Sequence, residues 1–156
     1  DFLIFRPAEF VMPDESYVVG REVWIQQDSN ARLRAYTKVH NAFMLFRYNN
    51  AFLDFYIETA LRLLYLNTGE VPSQFIGPKL LTALHNISQF PVMESAGMFS
   101  PMVLKDLIRG QGNALALFEQ KSPQPVKAAN LSSSVALHQG LSEKNMQDLI
   151  SRLLDV

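Results

Sequence analysis

Apolar residues come in short continuous runs near the start of the chain and at helical spacing further on. Phe2 to Phe5 is apolar on both faces and is closed by Arg6-Pro7, which predicts a buried strand, because proline cannot donate to a ladder. Val18-Val19 and Val23 to Ile25 predict two short strands around Gly20. Val39 to Phe46 predicts another, apolar on both faces from Ala42 onward. The polar stretch Gln26 to Arg34 between them reads as a loop.

The period then changes. From Ala51 to Leu66, Phe52, Phe55, Tyr56, Leu63 and Leu64 fall on one helical face, with Asn49-Asn50 as turn and cap and Gly69 as the expected left-handed stop. Pro78 to Asn86 predicts a second helix with proline in its first turn, and Ser100-Pro101 opens a third that ends near Gly110. Leu115 to Phe118 reads as a strand, Gln120 to Ala129 as a loop, and Val135 to His138 as the last strand. Ser142 caps a final helix, Glu143 to Leu154, whose apolar stripe is Met146, Leu149, Ile150 and Leu153. Strands interleaved with helices predict an α/β layer fold.

Composition narrows the function. The 156 residues are 48% hydrophobic and 19% charged, enough for one globular domain with a core. Fourteen basic residues against fifteen acidic ones give a net charge of −1, so no basic field exists to attract nucleic acid or an anionic membrane. The absence of cysteine excludes disulfides, thiolate catalysis and cysteine-ligated zinc. No apolar run reaches the roughly 18 residues that a membrane span needs. Residue 1 is Asp rather than Met and directly precedes an apolar run, so a chain cut from a longer protein is expected. Two sequons, Asn86-Ile-Ser88 and Asn130-Leu-Ser132, are compatible with a secretory lumen.

Five places in this order resemble the α1,4-glycosyltransferase family, the D-x-D enzymes like globotriaosylceramide synthase. Asp1-Phe-Leu-Ile-Phe-Arg-Pro7 is similar to the second half of the D-x-D segment, and Asn41-Ala-Phe-Met-Leu-Phe46 to an Asn-Gly-Ala-Phe-type strand. Gly77-Pro-Lys-Leu-Leu-Thr82 resembles a Gly-Pro-x-Leu-Leu-Thr helix start. Met98-Phe-Ser-Pro101 resembles a Phe-Tyr-Pro segment, and Val135-Ala-Leu-His138 an Ala-x-His strand. The resemblance implies that residues 1–156 are the C-terminal half of a single GT-A-like domain, a mixed sheet flanked by helices. It also implies a UDP-sugar donor, Mn²⁺, a glycan or glycolipid acceptor, and transfer of a hexose or N-acetylhexosamine with retention. The setting it implies is the Golgi lumen, with membrane attachment only through an N-terminal anchor outside this chain. Half of a GT-A domain is not expected to catalyse alone.

By the same resemblance, Asp1 and His138 hold the metal, which would act as a Lewis acid on the departing diphosphate. Gly77 and Pro78 shape the substrate site, Gly77 by allowing close backbone approach. Gln74 either orients an acceptor hydroxyl or is a plain loop glutamine. Asn41 either hydrogen-bonds sugar or satisfies backbone at a strand entry. His85 is expected at the surface, the Phe52, Phe55, Tyr56 stripe in the core, and Asp54 and Glu58 on a solvated face. The chain departs from the family at Phe75-Ile76, where polar residues are usual, and at Gln139-Gly140-Leu141. Those departures motivate an alternative, a non-catalytic glycosyltransferase-like domain that binds sugar or a partner.

Overall fold

In the computed structural model, which describes residues 1–155, the strands are β1 (Phe2–Ile4), β2 (Tyr17–Gln27), β3 (Leu33–Phe46), β4 (Val92–Met93), β5 (Ala96–Met98) and β6 (Ala128–Asn130). The helices are α1 (Ala51–Leu66), α2 (Leu80–Ser88), α3 (Pro101–Arg109), α4 (Asn113–Lys121), α5 (Ser133–His138) and α6 (Glu143–Leu154). A π-helical turn, Phe75–Lys79, runs into α2. The class is α/β as expected, but there are two small mixed sheets rather than one. One has the order β1-β6-β5 and the other β3-β2-β4. In each, the middle strand pairs antiparallel on one side and parallel on the other. Among the described residues no helix is long and apolar enough to cross a membrane.

The hairpin of β2 and β3 is longer than its apolar runs suggest. The two strands expected around Gly20 are one, and the expected loop at Gln26–Arg34 shrinks to a turn. Asp28 organises that turn. Its Oδ1 accepts the N–H groups of Asn30 and Arg32, each at 2.9 Å, and its Oδ2 accepts from Arg34 Nε at 3.0 Å. The Arg32 hydrogen bond, helped by those of Arg34 and Asn30, keeps this carboxyl below its ordinary pKa.

Local helix signals hold. Asn50 Oδ1 accepts Leu53 N–H at 3.0 Å and starts α1. Ser142 and Asn145 form a reciprocal capping box on α6. Gly69 is not the stop of α1: the helix ends at Leu66, and Asn67 caps it in an extended conformation.

Two strand assignments are overturned. Leu115–Phe118 lies inside α4, because Asp106 on α3 accepts the N–H groups of Ala114 and Leu115 at 2.8 and 3.1 Å. The partner that caps this helix comes from another element. Val135–His138 lies inside α5, and the last strand is instead β6, within the stretch expected to be loop. Ala128 and Ala129 are fully buried between β1 and β5, where small side chains suit a central strand.

The main core packs Phe5, Val23 and Ile25 against Phe99, Val103, Leu104, Phe118, Met146 and Leu149. A second, smaller cluster joins Val19, Val39, Leu81 and Phe90, covered by Tyr17, Phe46 and Phe52.

Candidate functional site

An irregularity in the β2–β3 ladder creates the site. Val19 pairs with Met44 and the next residue, Gly20, pairs with His40, so Asn41, Ala42 and Phe43 face no partner on β2. Such a bulge re-aims the side chains it carries. His40 holds it in place. The ring is fully buried, its Nδ1 accepts Ala42 N–H at 3.0 Å, and its Nε2 therefore donates to the Ala96 carbonyl at 3.2 Å. The imidazole thus ties β3 to β5 and one sheet to the other. Only glycine at position 20 leaves room for it, since a Cβ there would sit 2.3 Å from His40 Nε2. Burial, opposed by the hydrogen bond to Ala96, lowers the pKa of His40 to about 4, so the ring is neutral at pH 7.

The bulge delivers Asn41 to the π-helical turn. A Cβ on Gly77 would lie 3.0 Å from Asn41 Nδ2, so a side chain at Gly77 would press the Asn41 amide back by a few tenths of an ångström. Two further contacts fix the turn. The Tyr56 hydroxyl on α1 donates to the Ile76 carbonyl, and partial burial raises that hydroxyl's pKa. Thr82 Oγ1 both donates to the carbonyl of Val39 and accepts its N–H, each at 3.4 Å. Those groups lie on the outer edge of the sheet, where β2 cannot pair them.

Four residues singled out in the sequence meet here. Asn41, Gln74, Gly77 and Pro78 line one hollow of about 530 Å³, with Tyr56 and Asn130 completing it. Gln74 sits at its rim in a left-handed conformation with φ 63°, a local strain of the kind stored at functional sites. Two further hollows, of about 300 and 380 Å³, open beside it and share Gln74 and Pro78. The sizes are those of sites for small ligands.

Asp1 and His138 stand differently. Phe2 pairs with Asn130, and the Asp1 carbonyl accepts Leu131 N–H at 2.9 Å, so Asp1 is exposed beside the strand end that carries Asn130. His138 is exposed at the last position of the six-residue α5. It is not at the end of a strand, and it does not line the hollow. Asn130 occupies the strand-terminal place instead, its Oδ1 accepting Ser132 N–H at 2.7 Å. Among the described residues no three His, Asp or Glu side chains gather as a metal cluster. The donors at this strand end are the Asp1 carboxylate and amide or main-chain oxygens, a hard-oxygen set that suits Mn²⁺ if phosphate oxygens and water fill its shell.

Other expectations fall out plainly. Phe52 and Tyr56 pack as predicted, but Phe55 is exposed. Glu58 pairs with Arg62 one turn along α1, on a solvated face. His85 is half-buried against Phe90, and burial lowers its pKa. Sequence reasoning gave no site role to His40 or Glu22, and read Asn130 only as part of a sequon. For His40 the only local sign was a histidine within a strand candidate; the structure puts it immediately before the bulge. For Asn130 the surrounding small residues concealed a strand.

Neither a protein-family model, nor a curated protein, nor a solved structure matches the chain.

Proposed function

We propose that this chain forms the acceptor-side half of a UDP-sugar-dependent glycosyltransferase domain of GT-A type, acting with retention on a glycan or glycolipid hydroxyl. One observation carries the reading. Asn41, Gln74, Gly77 and Pro78 come from the bulged strand and from the turn before α2, yet they line one hollow. Asn41 and the Gly77-Pro78 step belong to separate motifs of the resemblance, so their meeting in one hollow beside Gln74 supports it. In this reading the Asn41 and Gln74 amides hydrogen-bond sugar hydroxyls, and Gly77 keeps the wall open.

Asp1 would hold Mn²⁺ at the adjoining strand end together with donor phosphate oxygens. The ion supplies Lewis-acid neutralisation of the diphosphate. His138, the second metal ligand that the resemblance implies, sits at the C-terminal end of α5 rather than at a strand end. Lumenal, Golgi placement belongs to the same proposal.

A second reading is a non-catalytic sugar-binding domain. It is favoured by Ile76, whose apolar side chain lines the hollow where the family has polar residues.

The test is UDP release from a panel of UDP-sugars with Mn²⁺ and mixed acceptors, using the full-length protein. Release that stops with chelator and in Asp1→Asn is the expected result. Saccharide binding without release from any donor would move the assignment to the second reading.

A further inference from the structure

Glu22 and Trp24 stand two residues apart on β2, so they share the face opposite Val23 and Ile25, which lie in the main core. Their cross-strand partners are Lys38 and Tyr36. These four side chains, with Gln26, floor the 380 Å³ hollow whose far side is formed by Gln74 and Pro78.

The carboxylate of Glu22 is the informative group. The residue is 9% exposed and it lines both of the smaller hollows. No hydrogen bond or ion pair reaches it from the described residues. Lys38, directly opposite in register, instead holds its ammonium 6.0 Å from the centre of the Tyr36 ring. A carboxylate this buried normally has a partner, because an unmatched one is penalised by desolvation. Consistent with that, burial pushes its pKa up, with only the Lys38 charge opposing. Its oxygens are not sealed from solvent, so they stay open to a ligand in the hollow.

We propose that this face of the β2–β3 hairpin is a saccharide subsite, with Trp24 and Tyr36 as stacking floor and Glu22 as the acceptor of sugar hydroxyls. The chemistry selects the ligand class. An aromatic floor takes the C–H face of a pyranose ring, while Glu22, Gln26 and Gln74 supply hydrogen-bonding groups for hydroxyls. Glu22 and Lys38 together leave the subsite near neutral, which favours a neutral ring over an anion or a cationic peptide. Because the hollow shares Gln74 and Pro78 with the first one, the ring held here is the acceptor's. That last assignment rests on the transferase reading, whereas the subsite itself does not.

Trp24 is the only tryptophan in the chain, so its emission reports this subsite directly. The experiment titrates the protein with neutral hexoses and disaccharides while following that emission, with UDP-sugar transfer scored separately. A saturable change is expected, weakened about ten-fold or more in Glu22→Gln. A several-fold loss is expected in Tyr36→Ala, of the order of about 1 kcal/mol for a lost aromatic contact. Thermal unfolding of Glu22→Gln should be no weaker than wild type, since the change removes an unpaired buried charge. Flat emission across the panel overturns the proposal, as does saturation that Glu22→Gln leaves unchanged, or saturation by a lysine-rich peptide in place of sugars. Binding that depends on Glu22 in a protein without transferase activity keeps the subsite and removes the transferase. Transfer with an unaltered acceptor KM in Glu22→Gln does the reverse.

Discussion

Helix α1 has sixteen residues and buries none, whereas α3 has nine and buries four. Both carry apolar faces, but they meet different neighbours. Val103 and Leu104 of α3 enter the main core with residues from α4 and α6. α1 touches the fold through one flank. Phe52 stacks on Tyr17 at 4.6 Å between ring centres, and Tyr56 hands its hydroxyl to the turn at Ile76. Leu61, Tyr65 and Leu66 further along stay largely exposed. The difference separates two roles. The α3 side supplies stability through buried area, and the α1 side is a wall whose contribution is where it holds the Gln74–Pro78 turn.

Truncating each side is the most direct way to break this comparison. Leu104→Ala should lower unfolding free energy by about 3 kcal/mol, as expected for a fully buried leucine. Leu61→Ala, at 61% exposure, should change it by no more than about 0.5 kcal/mol. Urea denaturation decides the matter, and equal losses would mean that α1 is part of the core.

Acid tests the joint between the sheets. His40 has its folded pKa depressed to about 4 from an ordinary 6.5. The unfolded chain therefore takes up a proton first as pH falls. Stability from this group is complete above pH 6.5 and declines through the interval down to about 4, by about 3 kcal/mol. No charged side chain contributes to the depression; the ring meets the Gly20 backbone, the Ala96 carbonyl and Ala42 N–H. Denaturation at pH 7 and 4.5 should show this slope in wild type and a reduced one in His40→Gln. An identical slope in both would contradict the burial of a neutral ring.

The smallest effect sharpens the role of α1 as a wall. Tyr56→Phe removes the donor to the Ile76 carbonyl and nothing else of size. A stability loss of about 1 kcal/mol is expected, together with weaker saccharide binding, because Gln74 and Gly77 belong to the turn it holds. Weakened binding that exceeds the stability loss would place Tyr56 with the site; unaltered binding would make it mere support.

The parts of the fold legible in the sequence are those whose causes are local. Asn50 and Ser142 were readable as caps because the groups they satisfy lie three residues away. The stripe of α6 was readable from its spacing. Asp106 was not readable as the cap of α4, since it acts from another helix. β6 was hidden for the same reason: Ala-Ala-Asn carries no strand preference, and it becomes a strand only between β1 and β5.

For the site, the sequence alone supplied the candidates Asn41, Gln74, Gly77 and Pro78 and the helix start that follows them. It also determined the α/β class, the near-neutral surface and the absence of thiol chemistry. Tertiary structure decided which candidates meet. The three-residue bulge, pinned by His40 under Gly20, turned Asn41 towards Gly77, and the pairing of β1 with β6 set Asp1 beside Asn130 rather than beside a strand-end histidine. It also decided that Glu22 and Trp24 face the hollow while Val23 and Ile25 face the core. The residues in question alternate along one strand, and period two says which side chains share a face but not which face will be covered. That choice is made only when the helices α3 and α4 pack on one side of the hairpin and the turn before α2 closes over part of the other.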